Sequence, residues 1–124
     1  MRFRLKRGDE SIVRAFATAC DAGSVDVLRR LLSPEAVVVS DGGGQVATAL
    51  YPVRGADAAA RSVTDLIQPG TALTVEAVNG QEGVVLRRGG EVVAVVSLGI
   101  TGAKVARIWI VLNPDKLRHW PRYS

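Results

Sequence analysis

Leu73–Leu112, LTVEAVNGQEGVVLRRGGEVVAVVSLGITGAKVARIWIVL, decides the fold. Four runs rich in Val, Ile and Leu are separated by glycine-bearing pairs, Asn79-Gly80, Gly89-Gly90 and Thr101-Gly102. β-Branched residues suit a pleated, half-buried surface. Asn-Gly is a strong hairpin signal, because the mirror-image tight turn needs two positive φ angles. The spacing predicts strands over Leu73–Val78, Gly83–Arg88, Glu91–Leu98 and Lys104–Leu112, joined as an antiparallel meander.

The first half of the chain has a different period. Ile12, Phe16, Ala19 and Cys20 share one face of a predicted helix that follows Gly8 and ends at Gly23. Asp9 and Glu10 suit its positive N-terminal end. Ser24 reads as the N-cap of a second, short helix striped by Val25, Leu28, Leu31 and Leu32 and stopped by Pro34. Ala36–Ser40 is a short valine-rich strand. Asp41-Gly42-Gly43-Gly44 is a turn that draws on glycine's freedom. Gln45–Tyr51 is expected to pair back as a short strand ended by Pro52. A third helix is expected over Ala56–Ile67, burying Ala59, Ala60, Val63, Leu66 and Ile67, with Pro69-Gly70 as its breaker. Three early helices and a long meander read as α+β, with a curved antiparallel sheet wrapped around the helices and leaving a cavity. The expected division is a basic arm or linker remnant over 1–8, one domain over 9–119 and a tail over 120–124.

The composition bounds the function. A 124-residue chain with 48% hydrophobic residues is one domain with a real core. No apolar run approaches the roughly 18 residues of a membrane span, and residues 1–7 lack the apolar region of a secretory signal. Cys20, the lone cysteine, excludes an internal disulfide and reads as a buried, inert thiol in a reducing cytoplasm. The net charge of +4 gathers at the two ends, at positions 2 to 7 and at Lys116, Arg118 and Arg122. Such ends suit an acidic partner surface or nucleic acid, but no base-reading motif accompanies them, so direct DNA binding is disfavoured.

Little here supports catalysis. His119, the single histidine, follows the last strand and reads as a surface residue. Glu76, Glu82 and Glu91 read as solvent-facing charges on alternating strands. Asp41 is the one acid at a candidate pocket mouth, and it has no evident titratable partner. There is no zinc spacing, and Gly42-Gly43-Gly44 lacks the lysine and following helix of a phosphate loop. No catalytic residue, metal or cofactor is assigned. Enzymatic activity stays open, with the balance against it. On the last strand Ile108, Ile110 and Leu112 form an apolar face, while Arg107, Trp109 and Val111 share the other. Arg107 and Trp109, with Tyr51 as an aromatic rim, are candidates for a pocket wall, a homodimer surface or a partner contact.

Several motifs carry a family resemblance. Phe16-Ala17-Thr18-Ala19-Cys20-Asp21-Ala22-Gly23, followed by Leu31-Leu32-Ser33-Pro34-Glu35-Ala36-Val37, is similar to the opening of SnoaL-like domains in the NTF2-like superfamily. Asp41-Gly42-Gly43-Gly44, Pro52-Val53-Arg54-Gly55, Val78-Asn79-Gly80 and Asn113-Pro114-Asp115-Lys116-Leu117 resemble, in order, markers of the SnoaL-like C-terminal extension of certain extracytoplasmic-function sigma factors. The likeness runs from about residue 10 to 119. Gln45 and Tyr51 depart from it, standing where the family has lysine and arginine. The resemblance implies an NTF2-like cone and a non-enzymatic domain that modulates sigma-factor activity. Its implied partners are sigma-factor core domains or RNA polymerase, which the chain itself is not expected to contain. The implied partner-binding residues are Asp41, Gly42, Gly43, Gly44, Asn113, Pro114, Asp115, Lys116 and Leu117. The alternative on the same fold is a binder of a small hydrophobic ligand, or a polyketide-cyclase-like or ketosteroid-isomerase-like enzyme with its pocket in the cone.

Overall fold

A computed structural model describes residues 9–42, 52–78, 80–112, 114–118 and 120. The expected basic arm, the returning strand over 45–51, His119 and the tail beyond 120 lie outside the described residues.

Helix α1 (Asp9–Ala22) buries Val13, Phe16, Ala19 and Cys20. It ends in a paired glycine cap: Gly23, at φ 66°, donates to the Cys20 carbonyl and Ser24 donates to that of Ala19, both at 3.0 Å. Ser24 then opens α2 (Val25–Leu31), its hydroxyl accepting from the Val27 N–H at 3.3 Å. The chain turns extended at Leu32, so β1 spans Leu32–Asp41 and begins before Pro34 rather than after it. Proline lacks the N–H that a ladder needs, and it sits where the β1 register slips, between Leu32 and Val37. A short β2 (Val53–Arg54) leads through Gly55, at φ 99°, into α3 (Ala56–Leu66). The meander follows as β3 (Ala72–Val78), β4 (Gln81–Arg88), β5 (Glu91–Thr101) and β6 (Lys104–Val111), and one helical turn, α4 (Pro114–Leu117), closes the chain.

The hairpins explain the meander. Gly89 and Gly90 have φ 59° and 82°, the pair of positive angles of a mirror-image turn. The last hairpin has the same geometry at Gly102 and Ala103, φ 57° and 65°, because Thr101 pairs with Lys104. The turn therefore lies one residue later than the sequence suggested, and an alanine is held in the left-handed region.

The six strands form a curved, unclosed sheet in the order β2-β1-β6-β5-β4-β3. The meander is antiparallel, but β1 joins β6 in parallel, with Val37 opposite Arg107 and Asp41 opposite Val111, so the sheet is mixed rather than wholly antiparallel. With β2 on one side and β6 on the other, β1 is an interior strand that buries both faces, Val38 and Val37 alike. The three large helices cover one face. There Phe16, Leu28, Ala59, Val63, Val84, Leu86, Val96 and Ile108 form the main core.

The outer face carries a smaller cluster, Val78, Val85, Val95 and Leu117, with Val92, Val111 and Trp120 against it. Beside this cluster lies a buried ion pair. Thr74 and Glu76 on β3 share the outer face with Arg87 on β4. Arg87 is only 4% exposed and donates to both Glu76 carboxylate oxygens and to Thr74 Oγ1. Glu76 is thus not the solvent-facing charge the alternation suggested. The Arg87 guanidinium holds its carboxyl below the usual 4.5, against the opposing effect of burial and with help from the Thr74 hydroxyl.

Gly83 and Ala103 are opposite kinds of backbone position. A Cβ at Gly83 would lie 2.6 Å from the Val96 carbonyl oxygen and 2.7 Å from Val78 Cγ2. Gly83→Ala should destabilise the protein by about 2 kcal/mol, the scale of core overpacking. Ala103→Gly relieves a left-handed alanine and should stabilise it by about 1 kcal/mol. Urea denaturation with an unchanged slope checks both. Glu76 binds its proton less tightly folded than unfolded, so its stabilising effect is complete above about pH 5 and is lost as the pH falls through 4.5 toward the lower folded value. Glu76→Gln should lower stability by about 3 kcal/mol at pH 7, because it strands a buried guanidinium, and should flatten the acid limb of the stability–pH curve.

Candidate functional site

Two parallel strands leave a sheet at the same end. That rule brings together the two segments singled out in the sequence. Past the last register pair, the Leu112 N–H donates to the Asp41 carbonyl at 2.7 Å. The chain then enters α4 with Pro114 at its first position, where a missing N–H costs nothing. From α4, Lys116 Nζ reaches back to Asp41 Oδ2 at 2.6 Å, bridging residues 75 apart in the chain.

Leu117 points from the same turn into the outer-face cluster and is 6% exposed. Burying a leucine is worth about 1.5–3 kcal/mol. The ion pair, with Asp41 41% and Lys116 61% exposed, contributes at most about 1 kcal/mol. Leucine burial therefore holds α4 on the sheet, and the ion pair aims it.

Asp41, Pro114, Lys116 and Leu117 thus meet at one corner, with the buried Gly42 directly after β1. Asp115 belongs to α4. Gly43, Gly44, Asn113 and Tyr51 lie outside the described residues. Arg107 and Trp109 stand on the outer face, in register with Val37 and Val39 of β1 and with the helices on the opposite side. The Arg107 guanidinium lies 5.8 Å from the Trp109 ring centre, a cation–π contact.

Among the described residues the helix-facing surface of the sheet is largely apolar, lined by Leu73, Val75, Val84, Leu86, Ala94, Val96, Ile108 and Ile110. Two charged residues of β4 share it, Glu82 and Arg88, the latter donating to the Leu66 carbonyl of α3 at 3.3 Å and to Thr71 Oγ1 at 2.9 Å. Glu82 Oε1 lies 3.4 Å from Arg14 of α1, and its Oε2 is buried with no hydrogen-bond partner among the described residues, so Glu82, like Glu76, is not the solvent-facing charge the alternation suggested. Burial and the neighbouring Asp21 push the Cys20 thiol up to about 12, which leaves it a packing residue. Among the described residues no group of histidine, cysteine and carboxylate side chains is arranged to hold a metal. Sequence reasoning missed the Thr74–Glu76–Arg87 cluster. Its signal was available: positions 74, 76 and 87 fall on one face once the Asn79-Gly80 hairpin sets the register.

The sequence matches no family model and no curated protein. The structure is similar to that of the extracytoplasmic function sigma factor SigJ of Mycobacterium tuberculosis, with a TM-score of 0.68 and 26% identity over 90% of this chain. This chain spans only 44% of SigJ. It also resembles a steroid delta-isomerase from Pseudomonas aeruginosa, with a TM-score of 0.64 and 15% identity over 95% of this chain and 88% of that one. An NTF2-like protein from Burkholderia xenovorans aligns with a TM-score of 0.62 and 13% identity over 93% and 94% of the two chains. The latter two likenesses are of fold alone. The chain has the NTF2-like, SnoaL-like fold, and its structural neighbours are proteins of that kind, the SnoaL-like C-terminal domain of a sigma factor among them.

Proposed function

We propose that this chain is a non-catalytic regulatory module whose Asp41–Lys116 corner contacts sigma-factor core domains or RNA polymerase and modulates transcription initiation. One observation carries the reading. Two segments far apart in the chain, both similar to sigma-factor extension motifs, are joined by an ion pair at a single corner of the fold. The pair is too exposed to be explained by stability. It sits at the ends of two interior strands, where a rigid ladder presents charged groups to a partner. The SigJ likeness supports this choice of partner.

The largely apolar helix-facing surface supports this reading. Acid–base chemistry needs a tuned titratable group within hydrogen-bond reach of the substrate, and Glu82 is the carboxylate on that face among the described residues. A small hydrophobic ligand in the cone is the alternative reading. The outer strip of Val39, Arg107 and Trp109 is the face we assign to homodimer contact. No helix among the described residues is long and apolar enough to cross a membrane, and the proposed role places the protein in the cytoplasm.

Charge reversal separates this role from folding. Asp41→Lys and Lys116→Glu should each lower the melting temperature by only a few degrees, as expected for a loss of about 1 kcal/mol. Each should reduce capture by an extracytoplasmic-function sigma factor's core domains at least tenfold and abolish the effect of the chain on transcription from that factor's promoter. Unchanged capture and transcription in both folded variants would overturn the proposal.

A further inference from the structure

The β5 strand begins before its neighbour ends. Its first residue paired with β6 is Val95, opposite Val111, so residues 91–94 run past the end of β6. The chain leaving β6 crosses this overhang as α4, and a cleft of about 470 Å3 opens between them. Val92 and Val93 come from β5, Leu112 from the end of the ladder, and Leu117 and Trp120 from the α4 side, with the exposed Glu91 and Arg118 at the rim. The volume falls within the range of small-molecule sites, and the walls have their usual character, mostly apolar with an aromatic ring and a few polar groups. The cleft lies at the outer end of the sheet and not in the cone, where the sequence placed a ligand.

We propose that this cleft binds a flat, mostly apolar ring molecule with one polar end, and that occupancy holds α4 on the sheet and fixes the Asp41–Lys116 corner. The ring body stacks on the half-buried indole of Trp120 and packs against Val92 and Leu112, and the polar end faces the Glu91–Arg118 rim. A ligand seated there touches β5 and α4 at once. It therefore binds only the docked form of α4 and shifts its equilibrium by mass action. The regulatory half of this inference rests on the corner being the partner contact proposed above; the binding half does not.

The test uses the neutral fluorophore N-phenyl-1-naphthylamine and the full chain carrying Trp109→Phe, which leaves Trp120 as the one indole. Saturable one-to-one binding in the micromolar range, with energy transfer from Trp120, is expected. The amides of Arg118 and Trp120, bonded to the Pro114 and Leu117 carbonyls, should exchange about tenfold more slowly at saturation. Val92→Trp and Leu112→Trp fill the cleft from opposite walls and should each weaken binding at least tenfold with the melting temperature unchanged. Should either variant melt early, the exchange rates in the unfilled protein decide. No saturable binding, equal affinity in the filled variants, or unaltered α4 exchange at saturation would overturn the site. Binding and α4 protection with no change in sigma-factor capture would leave the site standing and remove its link to the corner.

Discussion

The parallel ladder between β1 and β6 is the constraint on which the rest depends. Parallel strands run the same way, so Asp41 and Leu112 emerge side by side and the corner follows without further instruction. Had β1 entered the sheet antiparallel to β6, Asp41 would lie near Lys104, about 25 Å away along an eight-residue strand. No lysine side chain spans that distance. The crossover that makes parallel pairing possible is the segment from β2 through α3 and the meander. The same α3 covers the inner face of the sheet with Ala59, Ala60 and Val63. One topological choice thus builds both the core and the corner.

The corner is held asymmetrically. Four residues are too few to form a stable helix alone, since nucleation outweighs a single hydrogen-bonded turn. The α4 turn exists because Pro114 starts it without loss and Leu117 seats it among Val78, Val85 and Val95. The charged pair adds direction with little energy. An element tethered by one buried side chain answers readily to whatever else touches it, a property that suits the partner contact proposed above. The Thr74–Glu76–Arg87 cluster behaves oppositely. Its guanidinium is buried, so its carboxylate partner cannot be removed cheaply, and it stiffens the β3–β4 edge of the outer face.

Much of the fold was legible because it is locally encoded. Caps at Ser24 and Gly23, the helical stripe of α1 and the Gly89-Gly90 turn each act within a few residues of the chain. What failed was non-local or contrary to propensity. Hydrophobic period reports that Ala36–Ser40 is a strand, but it carries no information on the direction of its neighbour, so the parallel pairing was invisible. The glycine-bearing pair Thr101-Gly102 marks a turn in the sequence, yet the register of β5 and β6 shifts it by one residue and holds Ala103, a residue type that seldom signals a turn, at positive φ. Alternation put Glu76 in solvent because that rule assumes one wet face, whereas Arg87 crosses the hairpin to cover it. The motif segments were legible as motifs, but their meeting was not, since it follows from the pairing direction.

The location of charge bears on which of the two proposed readings the frame suits better. A shared fold does not transmit chemistry, and the likeness to a steroid isomerase at 15% identity is a likeness of frame. Among the described residues, Glu76, Arg87 and Arg107 lie on the outer face of the sheet, and Asp41 and Lys116 lie at its end. The helix-facing surface carries mostly Val, Leu, Ile and Ala, with Glu82 and Arg88 of β4 as charged members. Acid–base catalysis concentrates its titratable groups where substrate is enclosed and water excluded. Here most of the sheet's charge is turned outward, to the face and the corner, and that distribution supports the proposed reading as an interaction module, while Glu82 is the described carboxylate on the helix-facing side that the alternative would have to use.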